Sequence, residues 1–265
     1  MKKNIPVEFI YQIFSLILVI ILVHGIYVSV VRPNAEAELQ REQIEMRENP
    51  DYVSERSVYV IIRDFEQEAC FILFFWAVAI MGYKGWSAMR QRSLLQADLV
   101  PVAEGMKILP EDTREYSRQI QALPARLQES LLPRALLTAL HRFDSTRNVQ
   151  DVSQAAYEEC DAEADRLDSE LAMIRYIAWA IPSIGFIGTV RGIGAALAQA
   201  HKAVEGDIAG VTQSLGVAFN STFIALLLSI VLMFLVHQLQ LLQERLVLES
   251  KTYCDRRLIR HMKVR

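Results

Sequence analysis

The sequence predicts an all-α, polytopic membrane protein with four transmembrane helices, two of which extend into a cytoplasmic helical bundle. Three observations predict this fold. The 265-residue chain is 52% hydrophobic, which is above the share typical of soluble domains. It contains four apolar runs that approach the length needed to cross a bilayer. Lysine and arginine are concentrated in the segments on one side of these runs, as the positive-inside rule requires.

Residues 1–31 are interpreted as a cytoplasmic start followed by transmembrane helix 1. The apolar run Ile13–Val31 is longer than the hydrophobic region of a typical signal peptide, and Arg32 and Pro33 follow it directly. We therefore expect a retained span. A cleaved signal peptide is the alternative, because two lysines precede the run and a small-residue context, NAEAEL, lies just downstream.

Residues 32–68 are interpreted as an acidic periplasmic loop, and residues 69–89 as transmembrane helix 2. The apolar run of this helix, Ala69–Tyr83, is short and reaches about 20 residues only with its flanking residues. Its many phenylalanines, tryptophans and tyrosines suit an interfacial belt or contact with lipid.

The second half of the chain divides into three segments. Residues 90–170 are predicted to form a cytoplasmic helical region, which four prolines interrupt. Residues 171–240 are predicted to form a channel domain with transmembrane helices 3 and 4, whose apolar runs are Leu171–Ala198 and Leu215–Leu235. Residues 241–265 are predicted to form a basic cytoplasmic tail.

Helix continuity and orientation follow from the same pattern. A helix is expected to begin near Asn148 and to run unbroken into span 3 until Pro182, and span 4 is expected to continue into the tail. Segment 32–68 contains five arginines among many acidic residues and segment 200–213 contains one lysine, whereas residues 84–147 contain ten basic residues and the tail contains seven. Both termini are therefore predicted to be cytoplasmic, and segments 32–68 and 200–213 to lie outside.

Span 3 carries a stripe of small residues. In the run AIPSIGFIGTVRGIGAAL, residues 180–197, side chains three and four positions apart share a helix face. The residues predicted to face another helix or a pore are Pro182, Gly185, Gly188, Thr189 and Gly192. Such a stripe lets a second backbone approach closely, which is how helices associate in lipid.

Span 4 carries a matching stripe, which includes Ala218, Ser221, Thr222 and Ala225. A short connection can place the two stripes side by side. The hydroxyls of Thr189, Ser221 and Thr222 are the candidate ion-path groups, although hydroxyls in helices also bond back to the preceding turn. Both interpretations of these hydroxyls remain open from sequence.

Spans 3 and 4 contain no aspartate or glutamate. A hydroxyl does not carry a proton charge at ordinary pH, so an ion-driven mechanism predicts a titrating carboxylate from another chain. Glu205 and Asp207 lie in the connecting segment, and Arg191 lies opposite Thr189; these three are candidates for an interface or for ion entry. For Arg191, the alternatives are snorkelling or a pair at a subunit interface on one hand and a direct role in the ion path on the other. His24 and Asn220 are expected to be satisfied locally, and a proton relay is the alternative for His24.

Several classes of function find no support in the composition. The net charge is −3, so no global basic field suggests nucleic acid. The three cysteines are far apart and match no metal or disulfide spacing. No nucleophile–base pair is evident, so we expect neither an enzyme nor a bound cofactor other than the transported ion.

The run at residues 180–197 resembles the signature of the MotA/TolQ/ExbB stator proteins, in which a proline opens the span and G-x-x-G-T-V-x-G-I follows. GVAFNSTFIALLLSI, which begins at Gly216, is similar to the next span of that family. The resemblance covers roughly residues 150–240. Arg191 stands where better-known members often have tryptophan. The extra first span gives a layout closer to the flagellar branch, with a longer outside segment.

This resemblance implies a ring, usually a pentamer, in the bacterial inner membrane. The ring would surround a pair of single-span ExbD/TolR/MotB-like partners, each supplying a membrane aspartate. Proton flow, or sometimes sodium flow, would drive mechanical work in the envelope. Thr189 and Thr222 would occupy the ion-path hydroxyl positions, and Pro182 the proline position. A non-conducting oligomeric membrane scaffold is the alternative function.

Overall fold

The computed structural model describes residues 7–48, 57–102 and 106–264. Within these ranges the chain is helical apart from turns and one isolated bridge between Ile108 and Met262. The helices in chain order are α1 Val7–Ile26, α2 Arg32–Glu48, α3 Val58–Ile62, α4 Phe65–Ser93, α5 Thr113–Gln121, α6 Ala125–Gln128, α7 Leu131–Thr146, α8 Val149–Glu170, α9 Ala172–Ala198, α10 Ala200–Val204 and α11 Ala209–Tyr253. A π-helical turn, Tyr27–Val31, joins α1 to α2.

Within the described residues, four helical stretches are long and apolar enough to cross a membrane, in agreement with the predicted number of spans. They are Glu8–Met46, Phe65–Gln96, Val149–Ala198 and Ala209–His261. Each includes one of the four apolar runs seen in the sequence.

The first of two compact units comprises Met1–Met81 and Met173–Val236, so the predicted channel domain packs together with spans 1 and 2. Large apolar side chains of this unit point outward, including those of Ile21, Phe186 and Ile230. The stripe of small residues predicted from the sequence lies inside the unit, where glycines and alanines of α9 are buried. This distribution suits a unit surrounded by lipid.

The second unit comprises Gly82–Ala172 and His237–Arg265. Its core is a cluster of buried, mostly large apolar side chains. Leu140 and Phe143 of α7 pack in one cluster with Val152 and Cys160 of α8. The connection between these helices is short because Arg147 adopts a left-handed conformation with φ of 50°. The Asn148 side chain then caps α8 by accepting a hydrogen bond from a backbone amide two residues later.

Two expectations about continuity were wrong. The helix does not end at Pro182, because α9 continues through this residue to Ala198. Proline cannot donate to the carbonyl of Ala178 four residues earlier, and the Ser229 hydroxyl of α11 donates to that carbonyl instead, at 3.2 Å. The interruption lies at Leu171, a turn residue between α8 and α9.

The segment 32–68 was predicted as a connecting loop, but its described parts are largely helical. Helix α2 continues the first span through the π-helical turn, and the short α3 precedes α4. Residues 49–56 lie outside the described ranges, as do the two lysines before span 1.

Candidate functional site

Helices α9 and α11 meet along their small faces. Gly185, Gly188 and Gly192 are all buried. A Cβ atom built on Gly188 would lie 2.5 Å from the Ser221 Cβ, and one built on Gly192 would lie 2.7 Å from the Ala218 Cβ. These separations are far below van der Waals contact, so the helices approach as closely as they do only because these residues lack side chains.

The remaining predicted packing residues lie on the same contact. A Cβ atom on Gly185 would clash with the Cβ of Ala225, which is fully buried. Ala218 is also fully buried, whereas Pro182 is half-buried. The structure therefore brings together the small residues that the two stripes contributed.

The hydroxyls of Thr189 and Thr222 form a hydrogen bond with each other across this contact. The Thr189 Oγ1 also lies 3.2 Å from the Ala218 carbonyl oxygen, and the Thr222 Oγ1 lies 3.3 Å from that of Gly185. Each hydroxyl has a single proton, so it donates to one of these acceptors at a time. Either hydroxyl can serve as the donor, which gives the pair two interchangeable hydrogen-bonding patterns.

Ser221 lies against Gly188 on the same α9–α11 contact and also makes a second contact. Its side chain is buried, and its Oγ donates to the Val217 carbonyl at 2.9 Å while accepting from Gln67 Nε2 at 3.3 Å. Gln67 lies on α4. Ser221 thus joins span 4 to both span 3 and span 2, whereas the hydroxyls of the two threonines join span 4 to span 3.

Arg191 forms an ion pair within the chain. Its Nε and Nη2 donate to the two carboxylate oxygens of Glu66 at 2.6 and 2.8 Å, and its Nη2 lies 3.7 Å from Asp64. Burial raises the pKa of the Asp64 carboxyl, and the neighbouring Arg63 and Arg191 oppose this shift. Arg191 is thus paired within its own chain, with a partner that sequence reasoning had missed, and the interface and ion-entry roles expected for it stay predictions.

Glu205 and Asp207 are exposed in the segment between α10 and α11. The Asp207 carboxylate accepts a hydrogen bond from the Ala209 amide at 3.2 Å, at the beginning of α11. This contact is typical of a helix N-terminus, where backbone amides lack intrahelical partners. Asp207 therefore has a structural partner in its own segment.

The sequence analysis counted carboxylates only in spans 3 and 4 and overlooked those at the start of α4. Glu68 accepts from His24 Nδ1 at 2.7 Å and from Arg32 Nη2 at 2.5 Å. His24, expected to be satisfied locally, is thus paired with a residue 44 positions away. Acidic residues in the first turn of a predicted span, opposite a histidine in another span, were the available signal.

Asn220 is half-buried and lines a cavity of about 470 Å³ with residues of α2, α3 and α11. Cys70, Cys160 and Cys254 are buried and unpaired. Among the described residues no group of three or more histidine, cysteine, aspartate or glutamate side chains is arranged to hold a metal ion.

Residues 127–252 match the MotA/TolQ/ExbB proton channel family. The matched segment is a little under half of the chain and contains α7 to α10 and nearly all of α11, so it includes both threonines. This match confirms the resemblance drawn from spans 3 and 4, and the family implies proton channel activity. No curated protein and no solved structure matches the chain.

Proposed function

We propose that this chain, whose residues 127–252 match the MotA/TolQ/ExbB proton channel family, is a stator subunit of an ion-driven inner-membrane motor. Four apolar helices together with this match indicate a multi-pass membrane protein. The finer proposal is that ion flow, of protons or sodium, is coupled to mechanical work or transport in the cell envelope. Both chain termini lie in the cytoplasm in this proposal, as the distribution of basic residues predicts.

The observation that carries the proposal is the hydrogen bond between the Thr189 and Thr222 hydroxyls. The pair sits within two candidate membrane spans and is half-buried rather than sealed. Because donor and acceptor can exchange roles, the hydroxyls are suited to hand on a proton or to contribute oxygen ligands to a cation.

The proposal requires a partner that carries a carboxylate. Neither hydroxyl binds a proton at ordinary pH, and the apolar runs of spans 3 and 4 contain no acidic residue. An ExbD/TolR/MotB-like single-span protein with a membrane aspartate would supply the missing group. A ring of copies of this chain, a pentamer by analogy with the family, would surround it. We propose no enzymatic activity.

A flux measurement tests the proposal. The chain is co-purified with the short, single-span protein encoded next to its gene and reconstituted in liposomes, where dye-reported proton flux follows a potassium diffusion potential. Thr189→Val and Thr222→Val are expected to abolish flux while leaving the oligomeric mass unchanged. Thr212→Val is the matched control, because the exposed Thr212 hydroxyl donates to the carbonyl of Ile208, the residue just before α11, and not to another helix among the described residues.

The competing function, a non-conducting membrane scaffold, predicts a different result. In that case the wild-type complex assembles and retains its oligomeric mass but shows no flux above empty liposomes. If both threonine variants conduct ions as well as the wild type, the hydroxyl pair is not part of the ion path.

A further inference from the structure

A second polar cluster lies in the first unit, between the first span and α4. Its centre is the Glu68 carboxylate, whose side chain is only 8% exposed. One oxygen accepts from His24 Nδ1 at 2.7 Å and the other from Arg32 Nη2 at 2.5 Å. Charged groups inside membrane spans are costly and are retained where they pair or take part in ion movement.

Two buried polar groups beside Glu68 have no hydrogen-bond partner among the described residues. The Tyr27 side chain is 3% exposed, and its hydroxyl is unpaired. Gln67, adjacent to Glu68 in the chain, is fully buried, and its side-chain oxygen is unpaired. Buried polar groups are nearly always satisfied, so the unpartnered Tyr27 hydroxyl and Gln67 oxygen leave hydrogen-bonding capacity free in the first span and at the start of α4.

The backbone is also unusual at this position. Tyr27 is the first residue of the π-helical turn that joins α1 to α2. Single π-helical turns within longer helices are rare and are found frequently at functional sites. The turn lies between His24 and Arg32, the two residues that contact Glu68. The guanidinium of Arg32 lies 6.0 Å from the centre of the Tyr27 ring.

The side chains of this cluster differ in how much of their surface is exposed, which indicates the order in which a proton would reach them. The His24 side chain is 57% exposed, whereas Glu68 is nearly sealed. Imidazole is the side chain that exchanges protons near neutral pH, and here its Nδ1 points at a carboxylate oxygen. A proton from outside this chain can therefore reach Glu68 only through a neighbouring side chain, and His24 is the neighbour that is open to the outside of the chain.

The remaining charged and titratable groups around this cluster come from several elements. Arg32 lies on α2, Asp64 precedes α4, and Glu66 lies in the first turn of α4 and is already bound by Arg191 of α9. The groups facing Glu68 and its neighbours are His24, Tyr27, Arg32, Arg63, Asp64, Glu66, Cys70 and Arg191.

We propose that His24 and Glu68 form a proton-entry site of this chain, separate from the Thr189–Thr222 pair and built from the first span and α4. His24 takes up a proton from outside this chain. The N–H bond at its Nδ1 then breaks, and an O–H bond forms at Glu68 Oε1, which leaves a neutral imidazole and a neutral carboxyl. Arg32 is a positioning residue that holds the second carboxylate oxygen. The proposal rests on the proposed proton-conducting function.

The site also has a structural connection to the channel domain. Gln67 donates to the Ser221 hydroxyl on α11, and Ser221 adjoins Thr222 in sequence. Glu66 lies beside Gly188, where a built Cβ would be 3.2 Å from the Glu66 Cγ. The first turn of α4 thus contacts both α9 and α11 through Glu66 and Gln67, the two residues that precede Glu68.

Proton flux in the reconstituted complex tests the proposal. Glu68→Gln keeps the size of the side chain and its ability to accept hydrogen bonds but removes the proton-accepting carboxylate. We expect it to lower flux at least tenfold, and His24→Gln to lower flux and to abolish its increase at acidic outside pH. Tyr11→Phe is the matched control, because the Tyr11 hydroxyl bonds the Ala79 carbonyl and so also joins α1 to α4.

Infrared difference spectra can be recorded between two pH values for the purified chain in nanodiscs. They detect protonation of a carboxyl group directly, which a purely structural role of Glu68 would not affect. The protonated-carboxyl band is expected to lose intensity in Glu68→Gln and to keep it in Tyr11→Phe. If His24→Gln and Glu68→Gln both keep wild-type flux while Thr189→Val loses it, the proposed entry site is wrong. The proposed function would still hold in that case. A wild-type complex without flux would overturn the proposed function, and an infrared band unchanged in Glu68→Gln would independently overturn the site.

Discussion

The Thr189 hydroxyl of α9 and the Thr222 hydroxyl of α11 are direct hydrogen-bond partners, and each also reaches a backbone carbonyl near the other. We expect this bond to appear as an energetic coupling. In a double-mutant cycle with Thr189→Val and Thr222→Val, the coupling should be about 0.5–1.5 kcal/mol, the range measured for polar pairs between membrane helices. Unfolding in mixed detergent measures it, and strictly additive losses would contradict the observed pair.

The glycines of α9 differ in how close their neighbours lie, so replacing them with alanine should have opposite effects on the stability of the protein. A Cβ on Gly192 would lie 2.7 Å from the backbone nitrogen of Ala218 and 2.8 Å from the Ser214 carbonyl oxygen. Backbone atoms cannot move aside cheaply, so Gly192→Ala should destabilise the protein by about 1–3 kcal/mol.

Gly194 serves as the control, because nothing lies within 4 Å of a Cβ built there. Gly194→Ala should be neutral or stabilise the protein by up to about 1 kcal/mol, since alanine favours the helix. Thermal unfolding of both variants in detergent checks the contrast. Equal shifts of the melting temperature would show that close approach at Gly192 is not what limits the helix contact.

Arg191 neutralises a carboxylate that is almost buried, since the Glu66 side chain is 11% exposed. Arg191→Ala leaves that carboxylate unpaired and should cost about 1.5–3 kcal/mol. Arg191→Lys should recover only part of the loss, because an ammonium group cannot make the two parallel bonds. Adding Glu66→Ala to Arg191→Ala should restore stability towards wild type, and a further loss in the double variant would argue against the pair.

The Asp64 carboxyl should make the stability of the protein depend on pH. Burial raises the pKa of this carboxyl, so the folded protein favours the protonated form more than the unfolded chain does. This contribution to stability is complete below the ordinary carboxyl pKa of about 3.9 and is lost as the pH rises through the raised value. Asp64→Asn removes the dependence, so its melting temperature relative to wild type should increase between pH 4 and pH 7. A difference that stays constant over this range would contradict the raised pKa.

The local pattern of the chain was sufficient for much of the fold. The four spans follow from the length of the apolar runs, and the contact between α9 and α11 follows from the 3.6-residue period, which places Gly185, Gly188 and Gly192 on one face. A short connection then left the neighbouring span as the nearest helix for that face to meet. The threonine pair was predictable for the same reason, because both residues lie in these stripes.

Contacts between helices far apart in sequence were not predictable in this way. Glu66 and Arg191 are 125 positions apart, and His24 and Glu68 are 44 apart. Which side chains meet depends on how each helix is rotated and shifted along its neighbour, and hydrophobic periodicity sets neither quantity for a helix that is apolar on most sides. The continuation of α9 through Pro182 belongs here too, since it depends on a hydroxyl from α11.

By itself, therefore, the sequence determined the four apolar spans and the small faces of spans 3 and 4, because these depend on residues within a few turns of one another. Only the tertiary structure decided that Glu68 lies between His24 and Arg32 and that Arg191 binds Glu66. The physical reason is that an ion pair needs its atoms within about 4 Å, and only the packing of whole helices brings such distant residues so close.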